Sequence, residues 1–330
     1  MSALAPAGPQ PADVGFERYA PAFDAVLGDG PRIECVAEVA AHEGPVYVRA
    51  EDALYFTTVP QRPGRPDMPQ VDVARIALQG ARFPVWSAAV TTVRPAANVA
   101  NGMTLDAEGR LVVCEQGTFR EPARISRLDP RTGASETLVE RCGGLPLNSP
   151  NDVVVKSDGT VWFTDPSYGH LQGFRPPPRV PDAVYRYDPG SGQLEVAAVG
   201  FDKPNGLAFS PDEGVLYVGD NGAPHHLLAF DVRSDGSLGR RRVVAGSAGE
   251  HPDGLKVDSE GRIYASAPTG VRVHAPGGRL LGEIAVPGAV NFTFGGREGN
   301  VLFITADTAV WAATLAARGA VPGHDERSSR

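Results

Sequence analysis

Ser149–Gly169 reads SPNDVVVKSDGTVWFTDPSYG. A valine run, a polar Asp158-Gly159 turn and a second apolar run make a strand, a tight turn and a returning strand. The turn accounts for Asp158 and Gly159. It does not account for Asn151, which stands ahead of the first strand. The same layout recurs as GPVYVRAEDALYFTT from Gly44, NGMTLDAEGRLVVCE from Asn101, NGLAFSPDEGVLYVGD from Asn205, DGLKVDSEGRIYASA from Asp253 and NFTFGGREGNVLFIT from Asn291. The starts lie about 40–57 residues apart, a period that marks a propeller or solenoid.

Most units continue with a third apolar segment, such as AVYRYDPGSG or HLLAFDVRSDG, and often a fourth, such as QLEVAAV. Period-two alternation, β-branched and aromatic residues, and Gly or Pro every 8–12 residues exclude helical repeats. Six units of four strands describe an all-β, six-bladed β-propeller. The last unit has three clear strands, and an orphan strand, Arg32–Val39, precedes the first. The expectation is that this strand completes the last blade and closes the ring, removing exposed edges. Residues 1–31 are then an N-terminal extension, partly ordered through Phe16, Tyr19 and Phe23; 32–316 form the catalytic propeller, and 317–330 a disordered tail.

Composition agrees with many short strands: the chain has 330 residues, 39 Gly, 30 Pro and 21% charged residues. A net charge of −8 argues against nucleic acid or an anionic membrane as partner. Three scattered cysteines with no CxxC pair argue against a thiolate zinc site and fit a reduced, cytoplasmic setting. The N-terminus lacks a signal-peptide pattern, and no apolar run reaches membrane-spanning length.

In a propeller the innermost strand of each blade lines the central channel, so six strand starts converge on one axis. Here they are Glu43, Asn101, Asn151, Asn205, Asp253 and Asn291, all oxygen-bearing. Read singly, Asn-Gly and Asp-Gly simply make turns. However, the hairpin turns lie at the other end of these strands, and Asn151 and Asn291 have no Gly after them. The chemical reading is a hard-cation site of carboxylate and amide oxygens. His42 and His251 flank the ring as outer partners or ordinary loop residues.

EGPVYV, SPNDVVVKSDGTVWFTDPSYG, KPNGLAFSPDEGVLYVGD and HPDGLKVDSEGRIY together resemble the senescence marker protein (regucalcin)/gluconolactonase family, over about Arg32 to Ala316. AVYRYDP and NFTFGG fit its bacterial gluconolactonase-like branch. The resemblance implies one divalent cation in the channel and hydrolysis of a lactone. It implies Glu43, Asn205 and Asp253 as metal ligands, Asn151 as ligand or substrate contact, and Asp253 as the catalytic acid/base. The implied cofactor is Ca²⁺ first, with Mg²⁺, Mn²⁺, Zn²⁺ and Fe²⁺ as alternatives. Animal members carry an Arg two residues before the PND Asn and a Glu eighteen after it; here these positions are Ser149 and Gly169. That departure bears on which lactone is taken.

Lactone opening needs a polarised carbonyl and an activated water, and a divalent ion serves both. Water is deprotonated by Asp253 or held as hydroxide on the ion. The ends of the second strands are expected to wall the pocket: Glu115, Gln116, Asp165, Asp220, Asn221 and Ser266. Asn101, Glu115, Arg120, Asp152 and Tyr168 are the expected substrate contacts, and the Pro-rich loop 170–182 its rim, with Phe174 as a further aromatic. Asp152 orients the Asn151 shell or caps its turn. The sequence has no G-x-S-x-G elbow, HExxH or phosphate-cradling GxxxxGK. Two other readings keep the same fold: aryl-ester or phosphotriester hydrolysis at the same site, and a non-catalytic calcium-binding or scaffold propeller.

Overall fold

The computed structural model describes residues 13–65, 67–78, 83–85, 89–223, 225–246 and 252–320. Six antiparallel four-stranded sheets follow one another along the chain as the blades of a propeller. Their inner strands are Glu43–Val48, Ala100–Leu105, Val153–Val155, Pro204–Phe209, Leu255–Val257 and Asn291–Gly295. The second strands Ala53–Thr57, Leu111–Glu115, Val161–Asp165 and Ile263–Ala267 are buried at every position. Each is covered on both faces by neighbouring blades, so continuous apolar runs suit it. Outer strands such as Ser135–Val139 and Gln193–Ala198 carry exposed polar residues.

The sixth sheet is assembled from both ends of the chain. Arg32–Ala37 pairs antiparallel with Val310–Thr314, Arg32 opposite Thr314 and Cys35 opposite Trp311. Gly15–Arg18 adds a fifth strand to blade 5 by pairing with Leu280–Ala285. Phe23, Val26 and Leu27 then enter a core cluster with Tyr264, Phe292, Ile304 and Trp311, between blades 5 and 6. The N-terminal extension is therefore partly core, while its Tyr19 remains exposed. The tail expected from 317 holds to the propeller as far as Ala320: the Gly319 amide donates to Gly299 O at 3.0 Å and that of Ala320 to Val257 O at 3.2 Å. Residues 321–330 lie outside the described residues. No helix among the described residues is long and apolar enough to cross a membrane.

Candidate active site

The glycine that follows most strand starts is not a turn glycine. The hairpin glycines Gly109, Gly159 and Gly261 have φ of +76°, +85° and +77°. Gly206 is not among the positive-φ glycines. A Cβ added to it would lie 2.1 Å from Asp253 O. It is glycine because neighbouring inner strands nearly touch, and its amide donates to that same carbonyl at 2.8 Å.

Equivalent bonds join every neighbouring pair of blades at this level. Thr57 Oγ1 donates to Asn101 O at 3.2 Å, the Gly102 amide to Asn151 O at 2.8 Å, and Thr164 Oγ1 to Asn205 O at 2.8 Å. The Gly254 amide donates to Val290 O at 3.1 Å, and Asn291 Nδ2 to Glu43 Oε2 at 2.7 Å. The six strand starts thus form one ring around the channel. Glu43, Asn101, Asn151, Asn205 and Asn291 are buried, and Asp253 is partly so.

The electrostatics of the ring are unbalanced. Burial, and then the Asp253 charge, push Glu43 well above the ordinary carboxyl range. Burial likewise raises Asp253, although the charge of His42 and hydrogen bonds to Asn205 and Glu43 pull it back. Two carboxyls can hydrogen-bond each other only with a proton between them. Buried Asp152 is raised by desolvation as well. Two buried oxygens, Asn151 Oδ1 and Asp152 Oδ2, have no hydrogen-bond partner. Such orphans are costly and rare in folded proteins. Two crowded acids and two amides, one of them with its oxygen orphaned, are what a hard divalent cation would satisfy. Glu43, Asn151, Asn205 and Asp253 are the residues that would hold it. Among the described residues no three His, Cys, Asp or Glu side chains cluster as a metal-holding group, and half of this set is amide.

Around the ring, Tyr168 lies beside Asn205 and Asn221, and burial and the Asp253 charge push its phenol up. It belongs to a short helix, Tyr168–Leu171. Asn101 Oδ1 accepts the Gly102 amide at 3.1 Å. Asp152 Oδ1 accepts the Val153 amide at 2.9 Å. His42 is paired through Nδ1 with Asp307 Oδ1 at 2.7 Å. Burial works against its charge, but Asp307, Glu43 and Asp253 outweigh it and raise the imidazole. His251 lies outside the described residues.

Several expected pocket residues do other work. Glu115 is fully buried, and its carboxylate takes Arg94, Arg124, Asn98 and Ser126, at 2.7, 2.7, 3.0 and 2.6 Å. With four donors on two oxygens it has no capacity left for a substrate. Asp165 accepts the amides of Asn148 at 2.8 Å and Ser149 at 2.7 Å. Asp220 accepts the amides of Asp202 at 3.1 Å and Lys203 at 2.7 Å. Ser266 Oγ accepts those of Asp253 at 3.0 Å and Gly254 at 2.9 Å. These second-strand ends grip the loops that deliver Asn151, Asn205 and Asp253. Their recurrence at the same place in three blades was the available signal. Arg120 is exposed, with Asp67 in range of its charge. Phe174 is buried in the core between blades 1 and 2.

Arg175 carries no sequence signature. Its buried guanidinium donates to Asn148 O, Leu147 O and Thr118 O, each at 2.9 Å, and to Glu121 O at 3.2 Å. It welds the Asn151 loop to the two loops beside it. Its stem also lies against Gly169, where a Cβ would come within 2.4 Å of Arg175 Cγ. Ser149 Oγ accepts the Gly169 amide at 2.9 Å. The two positions where this sequence departs from the animal pattern are thus locked to each other.

Residues 41–308 match the sequence profile of the SMP-30/gluconolactonase/LRE-like region. A gluconolactonase of Zymomonas mobilis is 32% identical over 304 residues, covering 88% of this chain and 83% of the relative. A lactonohydrolase of Aspergillus oryzae is 28% identical over 323 residues, covering 86% of this chain and 70% of the relative. The solved structure of a gluconolactonase from Xanthomonas campestris superimposes with a TM-score of 0.77 at 35% identity, covering 95% of this chain and 99% of that one.

Proposed function

The chain belongs to the SMP-30/gluconolactonase/LRE-like family, a lactone-hydrolysing group, and on that premise we propose that it opens a small lactone at the channel ring with the help of one divalent cation. The observation that carries the cation is the crowding of Glu43 and Asp253, two carboxyls raised by burial above their ordinary range, beside the orphaned Asn151 Oδ1. A bound divalent ion would polarise the lactone carbonyl and acidify water. Ca²⁺ suits the all-oxygen donor set best.

The chain's own groups divide the remaining work. Asp253 takes the proton of the attacking water and returns it to the ring oxygen as the C–O bond breaks, leaving a hydroxy acid. Its raised affinity for a proton suits that exchange. Asn291 fixes the Glu43 carboxyl through its 2.7 Å bond. Asn101 and the Tyr168 hydroxyl orient the lactone from the channel mouth.

The test is titration of released acid from a panel of lactones, after EDTA treatment and after adding back Ca²⁺, Mg²⁺, Mn²⁺, Zn²⁺ or Fe²⁺. Asp253→Asn and Glu43→Gln should each lower kcat at least about a hundredfold with the fold intact. Turnover retained in both variants, or unaffected by EDTA, would overturn the proposal.

A further inference from the structure

Below the ring, on the side away from the mouth, a cavity of roughly 200 Å³ is lined by Met103, Val155, Ala208, Lys256 and Thr293 among others. These residues come from the inner strands of five blades, so the cavity lies on the channel axis. Lys256 follows Asp253 by three residues. Its Nζ donates to Leu255 O at 3.0 Å, and it forms no ion pair among the described residues. The neighbouring Lys156 is held by Asp158 at 3.1 Å and Glu213 at 3.2 Å. Among the described residues, Lys256 is thus an axial cation with no carboxylate within ion-pair distance.

Val153 and Val154 line the same cavity, and the residue before them, Asp152, is 2% exposed with Oδ2 unpartnered. Lys256 is the charge that favours its carboxylate, and Asp152 in turn acts on Glu43 and Asp253. We propose that Lys256 sets the charge balance of the site: its ammonium offsets the third buried acid and holds cation affinity below what Glu43, Asp253 and Asp152 alone would give. Three carboxylates, one divalent cation and one ammonium sum to neutrality, the state a buried site tolerates. This rests on the ring being a cation site, as proposed above.

The experiment measures Ca²⁺ binding to EDTA-stripped protein by calorimetry at low ionic strength, with the Ca²⁺-induced rise in Tm as a second readout. Lys256→Met should bind Ca²⁺ more tightly, by roughly three- to thirtyfold, because a repelling charge is gone. A purely structural role would weaken binding instead. Lys256→Arg should stay near wild type. Asp152→Asn should bind more weakly, and the double variant Lys256→Met with Asp152→Asn should fall between the two single ones. If Lys256→Met fails to fold, Lys256→Gln is read in its place. Unchanged or weaker Ca²⁺ binding in the folded neutral variant overturns the role of Lys256 alone. A wild-type chain that binds no Ca²⁺ overturns this inference together with the cation reading of the ring.

Discussion

At the scale of single residues, the glycine that follows Glu43, Asn101, Asn205 and Asp253 is as constrained as the ring residue itself. Gly206→Ala would drive a Cβ to 2.1 Å from Asp253 O, and backbone atoms cannot yield as a side-chain tip can. The variant is expected to lose about 2–4 kcal/mol, read as a lower denaturation midpoint in urea. A stability equal to wild type would show that the inner strands are not in contact there. The ring positions were legible in the sequence because they recur at one place in successive repeats. Glu115 was misread for a related reason. Sequence places it at a strand end but does not say which way its side chain turns, and the flanking Arg94 and Arg124 claim it. Arg175 was illegible because its acceptors are backbone carbonyls, which every residue type supplies.

At the scale of elements, the segments that deliver Asn151, Asn205 and Asp253 are each held by the end of the strand that follows. Asp165 does so from a wholly buried position. Burial pushes its carboxyl from 3.8 up to about 7, against the pull of the Asn148 and Ser149 amides. The folded chain therefore keeps this proton while the unfolded chain releases it. The contribution of Asp165 to stability is full below the ordinary carboxyl range and is lost as pH rises to about 7. Asp165→Asn has no proton to lose there, so its stability relative to wild type should improve between pH 4 and pH 7. Denaturant titrations at the two pH values check this, and a constant difference between the proteins would contradict it. The six repeats announced the strands, because two-residue periodicity and turn chemistry are local. The grip of strand end on loop crosses a hairpin and left only a recurring polar residue as its trace.

At the scale of the molecule, the N-terminal segment is the least legible part of the fold. Gly15–Arg18 is four residues long, and its pairing with blade 5 depends on an edge about 265 residues away. Phe23 reads as a lone aromatic in an extension, yet it is fully buried between blades 5 and 6. Phe23→Ala should cost about 3–5 kcal/mol and lower Tm by several degrees. Lactonase activity should be kept below the new Tm, since the ring residues lie elsewhere. A loss below about 1 kcal/mol would show that the segment merely rests on the surface.

The pairing of Arg32–Ala37 with Val310–Thr314 also fixes an order of events during synthesis. The earlier strand leaves the ribosome long before its partner exists. Blades 1 to 5 can form as they emerge, but this strand must wait, its hydrogen-bonding edge unsatisfied, until Val310–Thr314 has emerged as well. Closure of the ring is therefore the last step of its assembly. A nascent chain halted just before Val310 should be open at that seam, readily digested by protease and without turnover.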